Sequence, residues 1–496
     1  MIFSPNSLAW PLTLFGLVAA GLRSTLASSL YTPPELAHQL KDSGARMIFV
    51  HPTLFPVLIK TFGLLGISDH EARRRVVIMS YVDQDRADEK AAKIGPEWTR
   101  LNELFGEGRL HSEELFVGDQ AHETAFLTTG LSKGVELTHR NIIALVTCFL
   151  TCFEKADPKT DVTAAPLPFY HIALMMNLMC DFVAQVPEVI VPRFEPNSFA
   201  KTIEQYKVSR MHFVPPILVT MSFHPAFDKH NMTTLKLLSG GAAPLGDGLV
   251  NKVLAKFADR GNNQLKITQG YGLTETASQT HWLKVQDSMR KVGSVGWLLP
   301  NLQARLVDDD ENDIKPGPEN RGELWVRGPT VMKGYWNNPT ATKRAITPDG
   351  WFKTGDIVIV DDEDFFRVVD RKKELIKYKG FQVPPAELEA LLLSKEDILD
   401  AAVIGVQSPE EATELPCAYI VASRNAELLK DPKAAAAFGE EVQRWMKPKV
   451  SHYKYLRGGV FIIEAIPKTG SGKILRSNLR ELAKKQRLEQ ALQSRL

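Results

Sequence analysis

Along residues 1–370 the apolar positions switch between two periods. Short β-branched or apolar runs at 45–50 (ARMIFV), 75–80 (RVVIMS), 188–194 (EVIVPRF), 210–214 (RMHFV), 235–239 (LKLLS) and 265–269 (LKITQ) predict strands. Segments 34–43, 197–206 and 245–260 show the wider spacing of amphipathic helices. This alternation predicts an α/β fold, with parallel or mixed sheets covered by helices. Ligands gather beyond the carboxyl ends of strands in such sheets. The loops SGGAAPLG, after 235–238, and QGYGLTET, after 265–268, are therefore candidate site loops.

After Trp351 the pattern changes. Two strands flank an acidic turn at 361–364, and a basic linker leads to a helix that starts near Pro385 with Glu387 in its first turn. Further strands at 401–406, 417–422 and 459–463, with helices between them, predict a small α+β domain, residues 370–496, behind a large domain, residues 1–369. A chain of 496 residues is too long for one core and suggests about three domain-sized units.

Charge adds little, since 60 Lys+Arg face 58 Asp+Glu and nothing points to a nucleic-acid partner. The four cysteines (Cys148, Cys152, Cys180, Cys417) show no disulfide framework. Cys148 and Cys152 share a helix face, but two thiols do not make a zinc site, and buried core thiols in a reducing compartment are expected. The apolar run 8–22 is cut by Pro11, Gly16 and Gly21 and lacks a basic leader; it is expected to be a core helix, not a membrane span or signal peptide.

Several loops together ask for a nucleotide. TTGLSKG (128–134) combines hydroxyls, small residues and a lysine, which suits phosphate oxygens. GYGLTET (270–276) offers the aromatic face of Tyr271, the hydroxyl of Thr274 and the carboxylate of Glu275, suited to magnesium. TGD (354–356) ends in a carboxylate fit for a ribose diol, and PKTGSGKILR (467–476) carries Lys473 in a glycine-rich loop. Each loop alone is more often a tight turn. The coincidence of all of them carries the reading.

In this order, with PLPFYHIALM, GELWVRGPTVMKGYW, GWFKTGD and DRKKELIKYKGFQVPPAELE between them, the motifs closely resemble the adenylate-forming superfamily. Within it the chain is most similar to fungal and plant acyl-CoA ligases of the 4-coumarate–CoA ligase type. The resemblance covers nearly the whole chain, to about Lys485. It implies a two-step reaction. A carboxylic acid attacks the α-phosphate of MgATP to give acyl-AMP and pyrophosphate, and the thiol of CoA then displaces AMP.

The resemblance also implies roles, residue by residue. Thr128, Thr129, Gly130 and Lys133 match the phosphate loop, and Gly241, Ala242 and Ala243 the backbone lining adenine. Gln269, Gly270, Tyr271 and Thr274 match base and α-phosphate contacts, with Glu275 on Mg2+. Asp356 and Arg371 match the ribose grip, Lys473 the lysine that stabilises the adenylation transition state, and His171 the histidine at the mouth of the acyl pocket. For the second step Asp370 matches the hinge of a mobile small domain. Lys377 and Gln382 match the residues brought in for thioester formation, and Lys373 an AMP contact. Lys379, Gly380 and Phe381 match the pantetheine tunnel, and Arg193 a basic residue facing CoA phosphate. Outside this company, RKKELIKYK reads as a solvated linker.

The chain departs from the superfamily pattern in two places. It opens several dozen residues later than its relatives, and Leu127 abuts Thr128 where they carry a run like S-S-G. The expected result is a phosphate loop that lacks its front edge and some donors to the β- and γ-phosphates. An impaired or non-catalytic relative that binds AMP or acyl-AMP is the alternative, as is an adenylating enzyme with another acceptor. Phe223 and Ala173 stand where hydroxycinnamate ligases place a lysine and a tyrosine, and with the methionines of ALMMNLM they imply an aliphatic or simple aryl acid. The ending Ser494-Arg495-Leu496 is close to the S-K-L peroxisomal address and implies an import receptor as partner.

Overall fold

The computed structural model describes residues 1–106, 118–130, 133–241, 245–379, 381–408, 413–469 and 472–493, with the backbone alone for 127–130 and 487–493. Ala242, Ala243, Gly380 and the 494–496 tripeptide lie outside the described residues. The α/β expectation holds. An eight-stranded sheet and a seven-stranded sheet, both mostly parallel, and a five-stranded antiparallel sheet make up the large domain. In the first sheet Ile2–Phe3 lies between Ser24–Ala27 and Ile48–Val50, parallel to both. The second sheet runs in parallel from Glu188–Ile190 through Thr163–Ala165, Arg210–Phe213 and Leu237–Gly240 to Lys266–Tyr271.

Local chemistry explains the boundaries. The helix Pro33–Ser43 begins with a capping box between Thr32 and Glu35 and ends at Gly44, whose φ of 63° suits the left-handed cap. The strand expected over 188–194 stops at Ile190, two residues before Pro192, which has no N–H for a ladder. The apolar run near the start forms the helix Ala9–Ala19. It buries Ala9, Trp10, Thr13 and Leu14 but leaves Leu8 and Leu12 exposed, so it packs on one face only.

Buried apolar side chains form one large core through both main sheets, from Ile2 to Val360, and a satellite beneath the first sheet. A separate core begins at Ile376 and runs to Ala483 in the smaller C-terminal domain. There the long hairpin Ile398–Ser408/Thr413–Ala422 is joined by Val460–Ile462 and covered by Pro385–Leu393, Pro432–Met446 and Arg476–Gln493. Asp370 falls between these cores, buried, its carboxylate accepting from the backbone N–H of Arg371 at 2.6 Å and Ala386 at 3.0 Å. Burial raises its pKa to about 6 against the pull of those two N–H groups and of Arg476.

Candidate active site

The strands Leu237–Gly240 and Lys266–Tyr271 pair in parallel with Gly240 opposite Gln269, so their carboxyl ends set Gly241 beside Gly270. A Cβ on Gly241 would lie 3.8 Å from Gly270 O, an ordinary contact, so the ledge has room above it. At Gly272 a Cβ would stand 1.7 Å from Ser278 O; only glycine permits the tight return of this loop. The loop leads into the short 3-10 turn Thr274–Thr276 and presents half-buried Tyr271, Thr274 and Glu275 at the strand ends.

A second sheet brings the ribose candidates. Phe352–Val360 pairs antiparallel with Phe366–Arg371, which places Arg371 directly opposite Asp356. Arg371 Nε lies 3.4 Å from Asp356 Oδ1, and the Tyr271 hydroxyl donates to Asp356 Oδ2 at 2.6 Å. Asp356 is 3% exposed. Burial raises its pKa, while Arg371 and then the Tyr271 hydrogen bond hold it down. A carboxylate accepts about four hydrogen bonds, so these two contacts leave capacity for a diol.

On the other side of Tyr271 the Glu275 carboxylate accepts from the Tyr335 hydroxyl through Oε1 at 2.9 Å. Burial and the neighbouring Glu275 charge push the Tyr335 phenol well above its usual range, so it remains a donor. Lys133 Nζ sits 4.8 Å from the centre of the Tyr335 ring. Lys133 starts the strand Lys133–Thr138, which pairs with Thr124–Gly130 up to the pair Gly130↔Lys133. The two strands that flank residues 131–132 are therefore paired antiparallel with each other, and Thr128 is also paired to Leu26 on its other side.

Lys473 reaches the same place from the small domain. Its loop closes on itself, with Thr469 N donating to Lys473 O at 2.8 Å and Lys473 N to Thr469 Oγ1 at 3.1 Å. Gly472, at φ +82°, lies so close to the large domain that a Cβ there would be 3.0 Å from Val214 Cγ2. The Lys473 ammonium has a lowered pKa, from partial desolvation first and the Arg371 charge second, opposed by Glu374, Asp356 and Glu275. His171 caps the helix Ile172–Ala184 by accepting from Ala173 N through Nδ1 at 3.4 Å. Burial, and then the Lys473 charge, lower it to about 4, so the imidazole is neutral at physiological pH.

Against this geometry, a family profile described as AMP-binding enzyme matches residues 1–336, and one described as AMP-binding enzyme C-terminal domain matches residues 387–473. The chain belongs to the AMP-binding enzyme family. It is 40% identical over 355 residues to a probable 4-coumarate–CoA ligase 1 of Dictyostelium discoideum, covering 71% of this chain and 61% of that one. To the 4-coumarate–CoA ligase-like 4 of Oryza sativa subsp. japonica it is 35% identical over 486 residues, 97% of this chain and 83% of that one. Its fold is similar to that of an anthranilate CoA ligase crystallised with anthranoyl-AMP, with TM-score 0.80 and 20% identity over 97% of this chain and 86% of that one. A benzoate CoA ligase from Burkholderia xenovorans LB400 gives TM-score 0.79 at 19% identity, over 97% and 88%.

The other residues that the sequence resemblance singled out make no side-chain contact with Asp356 among the described residues. Lys377 and Gln382 face each other across the hairpin Ile376–Tyr378/Phe381–Val383, both exposed. The backbone of Lys377 donates to Glu414 and that of Lys379 to Thr413, both at 2.8 Å. Gln382 also lines a cavity of about 220 Å³ with Asp308, Asp309, Glu323 and Lys372. Lys373 and Arg193 are exposed. Phe223 ends the helix Pro215–Phe223 with 44% of its surface exposed, while Met175, Met176 and Met179 are buried in the main core. Sequence reasoning missed Tyr335 and Lys372. The only sign of Tyr335 was its place in the quoted stretch GELWVRGPTVMKGYW.

Proposed function

We propose that this chain is an AMP-forming acid–thiol ligase, which activates a carboxylic acid as its acyl-AMP and transfers the acyl group to CoA. One observation carries the reading. Tyr271, Asp356 and Arg371 form one bonded group, and Lys473 from the other domain lies within the electrostatic reach of Asp356, Arg371 and Glu275. The naming of its curated relatives as CoA ligases supports it and disfavours a non-catalytic role.

In the first step an acid oxygen forms a bond to the α-phosphorus and the bond to pyrophosphate breaks. Asp356 and Arg371 orient the ribose, and Lys473 meets the charge that develops on the phosphoryl oxygens. Glu275 fits magnesium, because one oriented carboxylate together with substrate phosphates is the ligand set this ion takes beside nucleotides. Bound there, the ion would supply charge neutralisation to the triphosphate. In the second step the CoA sulfur bonds to the acyl carbon, the C–O bond to AMP breaks, and the thiol proton leaves to solvent. A neutral His171 can stand at the acyl carbon without trapping the adenylate as an ion pair.

Within this reading the small domain turns about Asp370 to exchange Lys473 for Lys377 and Gln382. The acid is aliphatic or a simple aryl acid, on the strength of Ala173 and the methionines. The test is release of pyrophosphate and formation of acyl-CoA on incubation with ATP, Mg2+, CoA and a panel of such acids; no product from any of them sinks the proposal. For location we propose the peroxisome, on Ser494-Arg495-Leu496 alone. An N-terminal fluorescent fusion should be punctate and become diffuse when Leu496 is deleted. A pattern unchanged by the deletion refutes the address. Among the described residues no helix is long and apolar enough to cross a membrane.

A further inference from the structure

The two residues expected to face the outer phosphates, Glu275 and Lys133, come from different sheets and are far apart in sequence. One side chain touches both. Tyr335 donates its hydroxyl to Glu275 Oε1 at 2.9 Å, and its ring lies under Lys133 Nζ at 4.8 Å. We propose that Tyr335 is a positioning residue for the metal–triphosphate half of the nucleotide site, aiming the Glu275 carboxylate with its hydroxyl and restraining the Lys133 ammonium with its ring.

The backbone around Tyr335 is built for this. The strand Gly334–Tyr335 pairs with the second strand of the phosphate hairpin, Tyr335 opposite Val135 and Gly334 opposite Glu136. Trp336 N donates to Gly134 O at 2.8 Å, and Trp336 Nε1 donates to Asp42 O at 3.0 Å. Met332 N donates to the backbone oxygen of Glu275 at 2.8 Å. Asn141, in the helix that follows the hairpin, donates to Pro329 O and Val331 O at 2.7 and 2.8 Å. Residues 329–336 thus tie the hairpin, its helix and the Glu275 turn into one unit, and within it the Tyr335 side chain contacts both Glu275 and Lys133.

The hydroxyl occupies Oε1 and leaves Oε2 of Glu275 to a cation, as an outer partner does for a metal-bound carboxylate. A lysine ammonium over an aromatic face keeps its charge while losing conformational freedom. With the strands Thr124–Gly130 and Lys133–Thr138 paired as far as Gly130↔Lys133, much of their backbone is engaged in the ladder, so a lysine held in place matters more. A tyrosine kept for packing alone would need neither contact.

The inference rests on the ligase reading, and its test separates the two. Calorimetry on the full chain would measure AMP, ATP with EDTA, and ATP with Mg2+ for wild type, Tyr335→Phe and Tyr335→Leu. Tyr335→Phe keeps the ring, so it should lower only the gain in ATP affinity that Mg2+ confers, by roughly tenfold. Tyr335→Leu should also weaken metal-free ATP about threefold, and AMP should bind both variants as it binds wild type. A Mg2+ gain that survives Tyr335→Phe overturns the inference alone. So does AMP affinity falling in step with ATP, which marks a structural role. A wild-type chain that binds no AMP overturns the ligase reading, and this inference with it.

Discussion

A buried carboxylate proposed to grip a sugar must stay ionised although burial favours its neutral form, and at Asp356 this pull is opposed by Arg371 and the Tyr271 hydroxyl. Lys473 joins the same group from the small domain, within electrostatic reach of Asp356 and Arg371. In Lys473→Ala, adenylate formation should fall by a factor of about 100 or more while conversion of supplied acyl-AMP to acyl-CoA persists. Lys377→Ala should do the reverse. Stopped-flow assays of each half-reaction check this, and equal loss in both halves for Lys473→Ala would refute the division of labour. Elsewhere the opposite choice has been made. Asp181 and Glu188 are carboxylates with buried oxygens, Asp181 Oδ2 and both Glu188 oxygens lacking hydrogen-bond partners among the described residues. Burial raises Asp181 to about 6, opposed by Thr163 and Arg210, and raises Glu188 well above its usual range with the help of the Asp181 charge. A raised carboxyl pKa stabilises the fold below the unfolded value near 4 and loses that contribution as pH climbs through about 6. Asp181→Asn should therefore stabilise the protein by on the order of 2–3 kcal/mol at pH 8 and much less at pH 4.5, read as the shift in thermal midpoint. An equal shift at both pH values would contradict this. The sequence made Asp356 and Lys473 visible because each sits in a stretch of diagnostic residue types, Asp356 within the strand Phe352–Val360 and Lys473 in a glycine-rich loop. Tyr335, Asp181 and Glu188 were not visible, because what sets them apart is a partner brought near by the fold.

At the scale of elements, the phosphate hairpin is the most consequential piece. Phosphate loops bind anions with backbone N–H groups that secondary structure leaves unpaired. Here the pairing of Thr124–Gly130 with Lys133–Thr138 extends to Gly130↔Lys133, and Phe126, Leu127 and Thr128 are paired on the other edge too, to Ser24, Thr25 and Leu26. The residues proposed for base and ribose lie on other sheets, outside this ladder. AMP and acyl-AMP should therefore bind more tightly than MgATP, by about tenfold or more, if only two or so hydrogen bonds to charged oxygens are missing. Calorimetry decides it, and equal affinities would show that the hairpin does not limit phosphate binding. The shortness of this loop was legible, since Leu127 directly precedes Thr128. The continuous ladder was not, because a run of Ala, Phe, Leu and Thr is equally at home in a strand edge or a loop approach. The central strands and flanking helices of the α/β sheets were legible from periodicity. Their ends moved by a few residues where caps and prolines decide, as at Ile190.

At the scale of the molecule, the question is what holds the small domain in the orientation that delivers Lys473. Among the described residues, several contacts besides the Asp356–Arg371 ion pair do so. The Gly472 loop lies against Val214, and the helix Pro385–Leu393 lies across the start of Asp247–Ala258, where Cβ atoms on Gly246 and Gly248 would come within 3.3 and 3.4 Å of Ala390 and Ser394. A further contact is electrostatic. Lys372, two residues past Asp370, places Nζ 2.9 Å from Asp309 and 3.0 Å from Glu323, while its backbone N–H donates to Gly355 O at 2.8 Å. Glu323 is mostly buried and also accepts from Gly355 N, so the ion pair is anchored in the sheet that carries Asp356. If the domain turns about Asp370 between half-reactions, Lys372 has to leave both carboxylates, and its pairing weights the equilibrium toward the adenylating orientation. Lys372→Met keeps the apolar stem and removes the charge. A half-exposed pair of this kind contributes about 1 kcal/mol, or roughly fivefold in the population ratio. Adenylation should slow by up to that factor under conditions where closure limits the rate, and conversion of supplied acyl-AMP should be unchanged or faster. Added salt, which screens the pair, should move wild type toward the variant and leave the variant itself almost unaffected. If Lys372→Met slows both halves alike, or keeps the salt response of wild type, then the pair only braces the sheet and the orientation is set by the two packing contacts.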